Sequence, residues 1–385
     1  MFARDFDFHL PPELIAQTPA EPRDSARLLR LGCAAQTVSH HTFRDLPDLL
    51  RADDLLVFND TRVLRARLRG AKIRPDNSRG ARVEALLLRE KSRNVWECLL
   101  KPSSRLREGT TLEFSHDESV GVRATILARH NESWTVRFET QNDLRELLEK
   151  LGEIPLPPYI ASRDSDDSDY QTVYAKATTS TRCDAPNETD SLESAAAPTA
   201  GLHFTVELLD ELKRRGVETC FITLGIGIGT FRPMKTERVE EHTMHEENYE
   251  VSRATAQKIN AHRARGKRVV AVGTTTVRVL ESCCDEDGNV QAGFGATSIF
   301  IRPGHSFCIV DALVTNFHLP QSTLLVMISA LSQHRIGARA SAQTSTRSRD
   351  LSNESLGLAT ILAAYHEAIK EKYRFFSFGD AMLIE

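Results

Sequence analysis

The chain has 385 residues, 41 % of them apolar and 26 % charged, with a formal net charge of −4. That length exceeds what one core usually organises, so two domains are expected, and the acidic balance leaves any nucleic-acid contact to local patches. Seven scattered cysteines without a C-x-x-C pair argue against a disulfide framework or structural zinc. With no secretory leader and no bilayer-length apolar run, a cytoplasmic protein without a membrane partner is expected.

The N-terminal part offers a short proline-started helix, PPELIAQ, and a strand, LLVFN. From about residue 63 to residue 140 the rhythm changes to short alternating segments: ARVEALLL, VWECLLK, TTLEF, VRATILA and SWTVRF. Such spacing predicts a small antiparallel sheet or barrel. At its start, TRVLRARLRGAKIR sets Arg65, Arg67 and Arg69 at period two, so that on a strand the three guanidiniums leave one face. A phosphate-binding strip and a plain solvated face are equally good readings of it. NDLRELLEKLGEIPLPPYI closes the segment with a helix stopped at Gly152. We therefore expect residues 63–151 to form an inserted β-barrel-like domain, and residues 1–62 with 152–385 to form the main domain carrying the active site.

Beyond that point helices alternate with strands: TVELLDELKRRG with VETCFITL, SRATAQKINAHRARG with RVVAV, and ATILAAYHEAIKEKY with RFFSF. Ser252 is placed to cap the second helix and Gly266 to stop it. The expected fold class is an α/β main domain, a mixed sheet with helices, bearing an inserted small antiparallel β-barrel. Polar stretches SRDSDDSD, TTSTRCDAPNETDSLES and residues 338–355 cannot bury a core and read as loops.

Four stretches carry groups suited to chemistry. LGIGIGTFRP (residues 224–233) has G-x-G-x-G spacing with no helix behind it and no G-K-[ST], so both nucleotide fingerprints fail. It remains a strand end bare of side chains at Gly227 and Gly229, followed by Thr230. RVVAVGTTTVRVLES passes from a strand at Gly273 to a helix begun by Thr274 and Thr275. Local chemistry alone favours ordinary threonine capping there over an anion site. APTAGLHFT places His203 before a helix, VTNFHLPQST places Asn316 and His318 between strand and helix, and EEHTMHEENYEV gathers His242, His245 and Glu247 without H-E-x-x-H spacing. Singly, such histidines are more often packed or capping residues. Together they sit at strand–helix junctions, where α/β folds bind ligands.

These segments, with FDFHLPPELIAQTPAEPRDSARLL, LLVFNDTRVLRARL, KPSSRLREGTTLEF, YQTVYAK, TSIFIRPGHSF and YRFFSFGDAMLI, occur in one order almost end to end. They resemble the S-adenosylmethionine:tRNA ribosyltransferase-isomerase family of queuosine biosynthesis. The resemblance implies an α/β domain with a small β-barrel and no metal. It implies transfer and isomerisation of the ribosyl moiety of S-adenosylmethionine onto 7-aminomethyl-7-deazaguanine at the wobble position of tRNA. The products are epoxyqueuosine-tRNA, adenine and methionine. That chemistry asks for a base to remove a proton from the 5′ carbon beside the sulfonium, a donor for adenine departure, and a pocket that aligns the reactants.

Under this reading His203, His242, His245, Glu247 and His318 are the candidates for proton transfer. Gly227, Gly229, Thr230, Gly273, Thr274 and Thr275 are candidates for contacting the nucleoside. Asn59, Asp60, Arg62 and Asn316 would orient substrate, and Arg65, Arg67 and Arg69 would hold tRNA phosphates. A monomer is expected. Two departures stand out: the family's glycine loop begins T-L-H-V-G, whereas Gly225 follows Thr223-Leu224 here, and SALSQHR stands where S-A-F-A-G is expected.

Overall fold

The computed structural model describes every residue except 116–119, 162–165, 177–191, 193, 228–232 and 344–351. Its first elements are β1 (Arg27–Gly32), β2 (Thr37–Thr42), α1 (Leu46–Leu49) and β3 (Leu55–Asn59). Six strands follow: β4 (Arg67–Ile73), β5 (Arg79–Ser92), β6 (Val95–Lys101), β7 (Thr111–Ser115), β8 (Gly121–Arg129) and β9 (Trp134–Glu139). Then come α2 (Leu144–Leu151), α3 (Val206–Arg214), β10 (Glu218–Leu224), β11 (Glu247–Val251), α4 (Arg253–Ala264) and β12 (Val269–Val272). The remainder is α5 (Thr274–Ser282), β13 (Gly293–Thr297), β14 (Ala312–Asn316), α6 (Thr323–Gln343), α7 (Ser352–Lys370) and β15 (Ala381–Ile384).

Nine strands make one mixed sheet in the order β13-β11-β10-β3-β12-β14-β15-β1-β2. Its centre, β10-β3-β12-β14, is parallel, and antiparallel pairings flank it on both sides. LLVFN, VVAV and ALVTN are buried at every position, as parallel strands covered on both faces must be. Alternation divides them between two cores. Leu55, Val57, Val269 and Ala271 pack on the face shared with α6 and α7, whereas Leu56, Phe58, Val270 and Val272 pack with Leu208 and Leu212 of α3.

The other six strands close into an antiparallel barrel, β4-β5-β6-β9-β8-β7, sealed where residues 70–72 pair with residues 112–114. Its inward positions build a separate core around Leu68, Trp96, Leu112, Phe114 and Val136, and Leu144, Leu148 and Leu151 of α2 complete it. The expected fold class, a mixed sheet with helices plus a small closed barrel, is the one that forms. Gly152 does end α2, yet not through a left-handed turn. Its φ is −86°, and a Cβ there would overlap the Arg65 carbonyl oxygen.

Three local expectations need correction. PPELIAQ yields only a single 3-10 turn, Pro12–Leu14. RFFSF is not a strand, because Asp380 accepts the Arg374 and Arg27 N–H groups and folds that segment into a turn, with Phe376 at φ +72°. The last strand is instead AMLI. The polar stretch 338–355 is entered by α6 from one side and α7 from the other, and its remainder, like most of TTSTRCDAPNETDSLES, lies outside the described residues.

Candidate active site

The four parallel strands all end on one edge of the sheet, at Asn59, Leu224, Val272 and Asn316. Asn59 ties three of these ends together. Its Oδ1 accepts from Leu224 N (3.0 Å) and Thr61 N (3.2 Å), and its Nδ2 donates to Leu224 O (3.2 Å) and Thr275 Oγ1 (3.5 Å). Asp60 accepts from the Thr223 hydroxyl at 2.6 Å and faces Lys176 Nζ at 3.4 Å; burial raises its carboxyl above the usual range.

Along this edge runs a cleft lined by Ile226, Gly273, Thr274, Thr275, Asn316 and His318, with Tyr159 and Phe376 forming an aromatic side. Among the described residues, no arginine, lysine or carboxylate lines it. Gly273 is the N-cap of α5, at φ +88°, and its N–H donates to Val314 O (2.8 Å). A left-handed residue at this point costs glycine little and any other residue much. No side chain caps α5. The Thr276 hydroxyl turns back to Val272 O (2.8 Å), and Thr275 Oγ1 serves as an acceptor for Asn59. Threonine capping, the reading local chemistry favoured, is therefore absent. The first N–H groups of α5 face the cleft end with the positive pole of the helix behind them.

Asn316 is held by two acceptors. Its Nδ2 donates to His203 Nε2 (3.2 Å) and to Phe376 O (3.1 Å), while its Oδ1 is buried without a partner. His203 lies tilted against Phe43 with ring centroids 4.9 Å apart, and burial with help from Arg374 and Arg23 pushes its pKa down to about 3. It is thus a neutral acceptor behind Asn316. His318 has Nε2 at 3.0 Å from Thr315 Oγ1, donates its backbone N–H to Tyr365 Oη, and is likewise pushed down to about 3 by burial.

The glycine stretch bounds the cleft at Ile226, which is fastened to Ser194 and Ala195 by three hydrogen bonds. Gly225 donates to Asn248 O (3.1 Å) and Gly227 to Glu247 Oε1 (3.0 Å). Gly229 and Thr230 lie outside the described residues. The other carboxylate oxygen of Glu247 pairs with the buried Arg278 of α5. Neither residue of that ion pair lines the cleft, and neither do His242, which lies against Phe300, nor the exposed His245.

The arginine strip is engaged within the chain. Arg65 donates to Gly152 O and pairs with Asp167, Arg67 donates to Leu156 O, and Arg69 makes a two-pronged bond to Glu153 at 2.7 and 2.9 Å. Arg62 has no side-chain partner among the described residues. Sequence reasoning missed Tyr159, Phe376, Ser377 and Arg278. The first three lie inside GEIPLPPYI and YRFFSFGDAMLI, where a tyrosine hydroxyl meets a serine hydroxyl (2.6 Å) across 218 positions. Arg278 was signalled only as a lone charge within the apolar VRVL.

Among the described residues no group of three His, Cys, Asp or Glu is placed to hold a metal, and no helix is long and apolar enough to cross a membrane. The family model described as "Queuosine biosynthesis protein" matches residues 3–344 and 352–384. S-adenosylmethionine:tRNA ribosyltransferase-isomerases from Symbiobacterium thermophilum and Desulfitobacterium hafniense are 47 % and 45 % identical, over 99 % and 100 % of this chain and 98 % and 100 % of theirs. The one from Clostridioides difficile is 43 % identical over the full length of both. The crystal structure of S-adenosylmethionine tRNA ribosyltransferase from Thermotoga maritima matches 99 % of this chain and 100 % of its own, at 34 % identity and a TM-score of 0.52. With the match running end to end, the chain belongs to the S-adenosylmethionine:tRNA ribosyltransferase-isomerase family of enzymes.

Proposed function

We propose that the cleft at the sheet edge is where S-adenosylmethionine gives up its ribosyl carbons to the aminomethyl-deazaguanine of tRNA, with adenine and methionine as leaving products. One observation carries this reading: an uncapped helix start, an asparagine carbonyl without a partner and a neutral histidine converge on a cleft whose described lining carries no charged side chain. A sulfonium is a cation, better met by the aromatic rings of Tyr159 and Phe376 than by lysine or arginine. The residues present fit such a cosubstrate.

His318 is assigned as the proton acceptor for the 5′ carbon, because it alone of the candidate histidines lines the cleft. His203 becomes a positioning residue that fixes Asn316, and Glu247 with Arg278 anchors the glycine stretch through Gly227. Asn59 and Asp60 hold the strand ends, and Arg62 is the guanidinium left open for a tRNA phosphate. Catalysis in this arrangement rests chiefly on alignment.

The test is to incubate the protein with S-adenosylmethionine and tRNA carrying the aminomethyl base, and to measure adenine release with the mass added to the tRNA. Equimolar adenine and a ribosyl-derived mass are expected, falling roughly 100-fold or more in His318→Ala. S-adenosylhomocysteine in place of adenine would overturn the reading in favour of methyl transfer.

A further inference from the structure

We propose that the start of α5 and Asn316 form a subsite for the α-amino-acid end of the sulfonium cosubstrate. The α-carboxylate is taken by the N–H groups of Thr274 and Thr275 with the Thr275 hydroxyl, and the α-ammonium by Asn316 Oδ1. The inference rests on the proposed ribosyl-transfer reading for the identity of the ligand.

The argument starts from what the two elements can accept. The first turn of α5 offers N–H donors and the positive end of a nine-residue helix, so it selects an anionic group. S-adenosylmethionine has one anion, its carboxylate. Thr275 Oγ1 already accepts from Asn59, which leaves its own hydrogen to donate into the cleft. Thr276 is not part of the site, since its hydroxyl is spent on Val272 O.

Asn316 supplies the independent half. It is 4 % exposed, and both hydrogens of its amide are committed, one to the neutral His203 ring and one to Phe376 O. Its orientation is therefore fixed, and the group it presents is an acceptor only. Buried acceptors without partners are rare, because each forfeits its hydration. A ligand that completes this one brings an N–H or O–H donor, and of the donors on S-adenosylmethionine the ammonium is the one tied to the anion that the helix start selects. An adenine edge mixes donors and acceptors and carries no charge for the helix to select. An amino acid joins an ammonium to a carboxylate through one carbon, which matches an acceptor beside a helix start. Gly273 lets them meet: its N–H bonds Val314, two residues before Asn316, and only Ala200 and Thr275 approach the place a Cβ would fill.

The ligand can be varied while the protein is left unmodified. Calorimetric titration of the full chain would compare S-adenosylmethionine with its decarboxylated counterpart and its deaminated counterpart. Each is expected to bind at least roughly tenfold more weakly, the loss of one charge-assisted hydrogen bond. Thr275→Val is expected to weaken S-adenosylmethionine and narrow its advantage over the decarboxylated compound. Free methionine, and not adenine, should compete for the cleft in a Thr275-dependent way. Equal affinity across the three compounds, no binding of any, or Thr275-dependent competition by adenine alone would overturn the subsite. Intact discrimination without adenine release from S-adenosylmethionine when the tRNA substrate is added would support the subsite and sink the ribosyl-transfer reading instead.

Discussion

Two buried asparagines show how the barrel and the sheet edge differ. Asn94, at the β5–β6 turn and 7 % exposed, has every side-chain group in use. Its amide donates to Thr140 O and Asn142 O, and its Oδ1 accepts the Leu144 N–H that opens α2. Asn316, at the end of β14 and equally buried, keeps its carbonyl unmatched. The first stitches a hairpin to a helix and is finished when the chain folds. The second is held just as firmly and left incomplete at the cleft, and under the proposed reading its carbonyl is kept for a ligand.

The contrast can be broken most severely at Glu247, which supports the sheet edge without lining it. Glu247→Gln leaves Arg278 buried and uncompensated, an expected loss of roughly 3–5 kcal/mol in urea unfolding. A midpoint shift below about 1 kcal/mol would mean that water reaches the pair. In the barrel, Asn94→Ala strands the Leu144 N–H and two carbonyls, for about 2–3 kcal/mol. Turnover per folded molecule should not change, and a fall in it would show that the barrel hairpin reaches the reaction.

Acid should separate the two regions. His203 and His318 have folded pKa values of about 3 against an ordinary 6.5, so between these limits the unfolded chain binds more protons than the folded one. Their contribution is complete above pH 6.5 and is lost as pH falls towards 3, at about 2 kcal/mol for each histidine by pH 5. Both tryptophans, Trp96 and Trp134, lie in the barrel core, so their fluorescence reports the barrel and circular dichroism the whole chain. Lowering pH from about 7 to 5 should destabilise the dichroism transition and leave the fluorescence transition in place. Joint movement of both would show that the halves unfold as one. The gentlest test is Arg69→Ala. Its exposed pair with Glu153 contributes at most about 1 kcal/mol, and tRNA affinity should keep its salt dependence if Glu153 is its true partner. A drop of about one in the salt slope would return Arg69 to the phosphates.

Much of this was readable in one dimension. LLVFN, VVAV and ALVTN announce themselves as buried parallel strands by being apolar at nearly every position, and SWTVRF as a barrel strand by alternating. Ser252 caps α4 through the Thr255 N–H as its position required. Each of these rests on neighbours a few residues away. The errors share the opposite property. RFFSF has strand composition, but Asp380 bends it through Arg27, 353 residues distant. Of the period-two arginines, Arg67 and Arg69 lie on β4 and Arg65 just before it, and what each meets is set far along the chain, Glu153 standing 84 residues beyond Arg69.

By itself, then, the sequence determined most of the element types, the barrel within an α/β chain, the family and the set of loops from which a site could be drawn. The tertiary structure decided which members of that set face the same space. It placed His318 and Asn316 in the cleft, set His203 behind Asn316 across 113 positions, and turned Glu247 towards Arg278. It also replaced threonine capping with a bare helix start at Gly273. Local pattern encodes backbone preference and burial, which depend on near neighbours. Whether a polar atom is satisfied depends on groups that only the folded chain brings within about 3 Å.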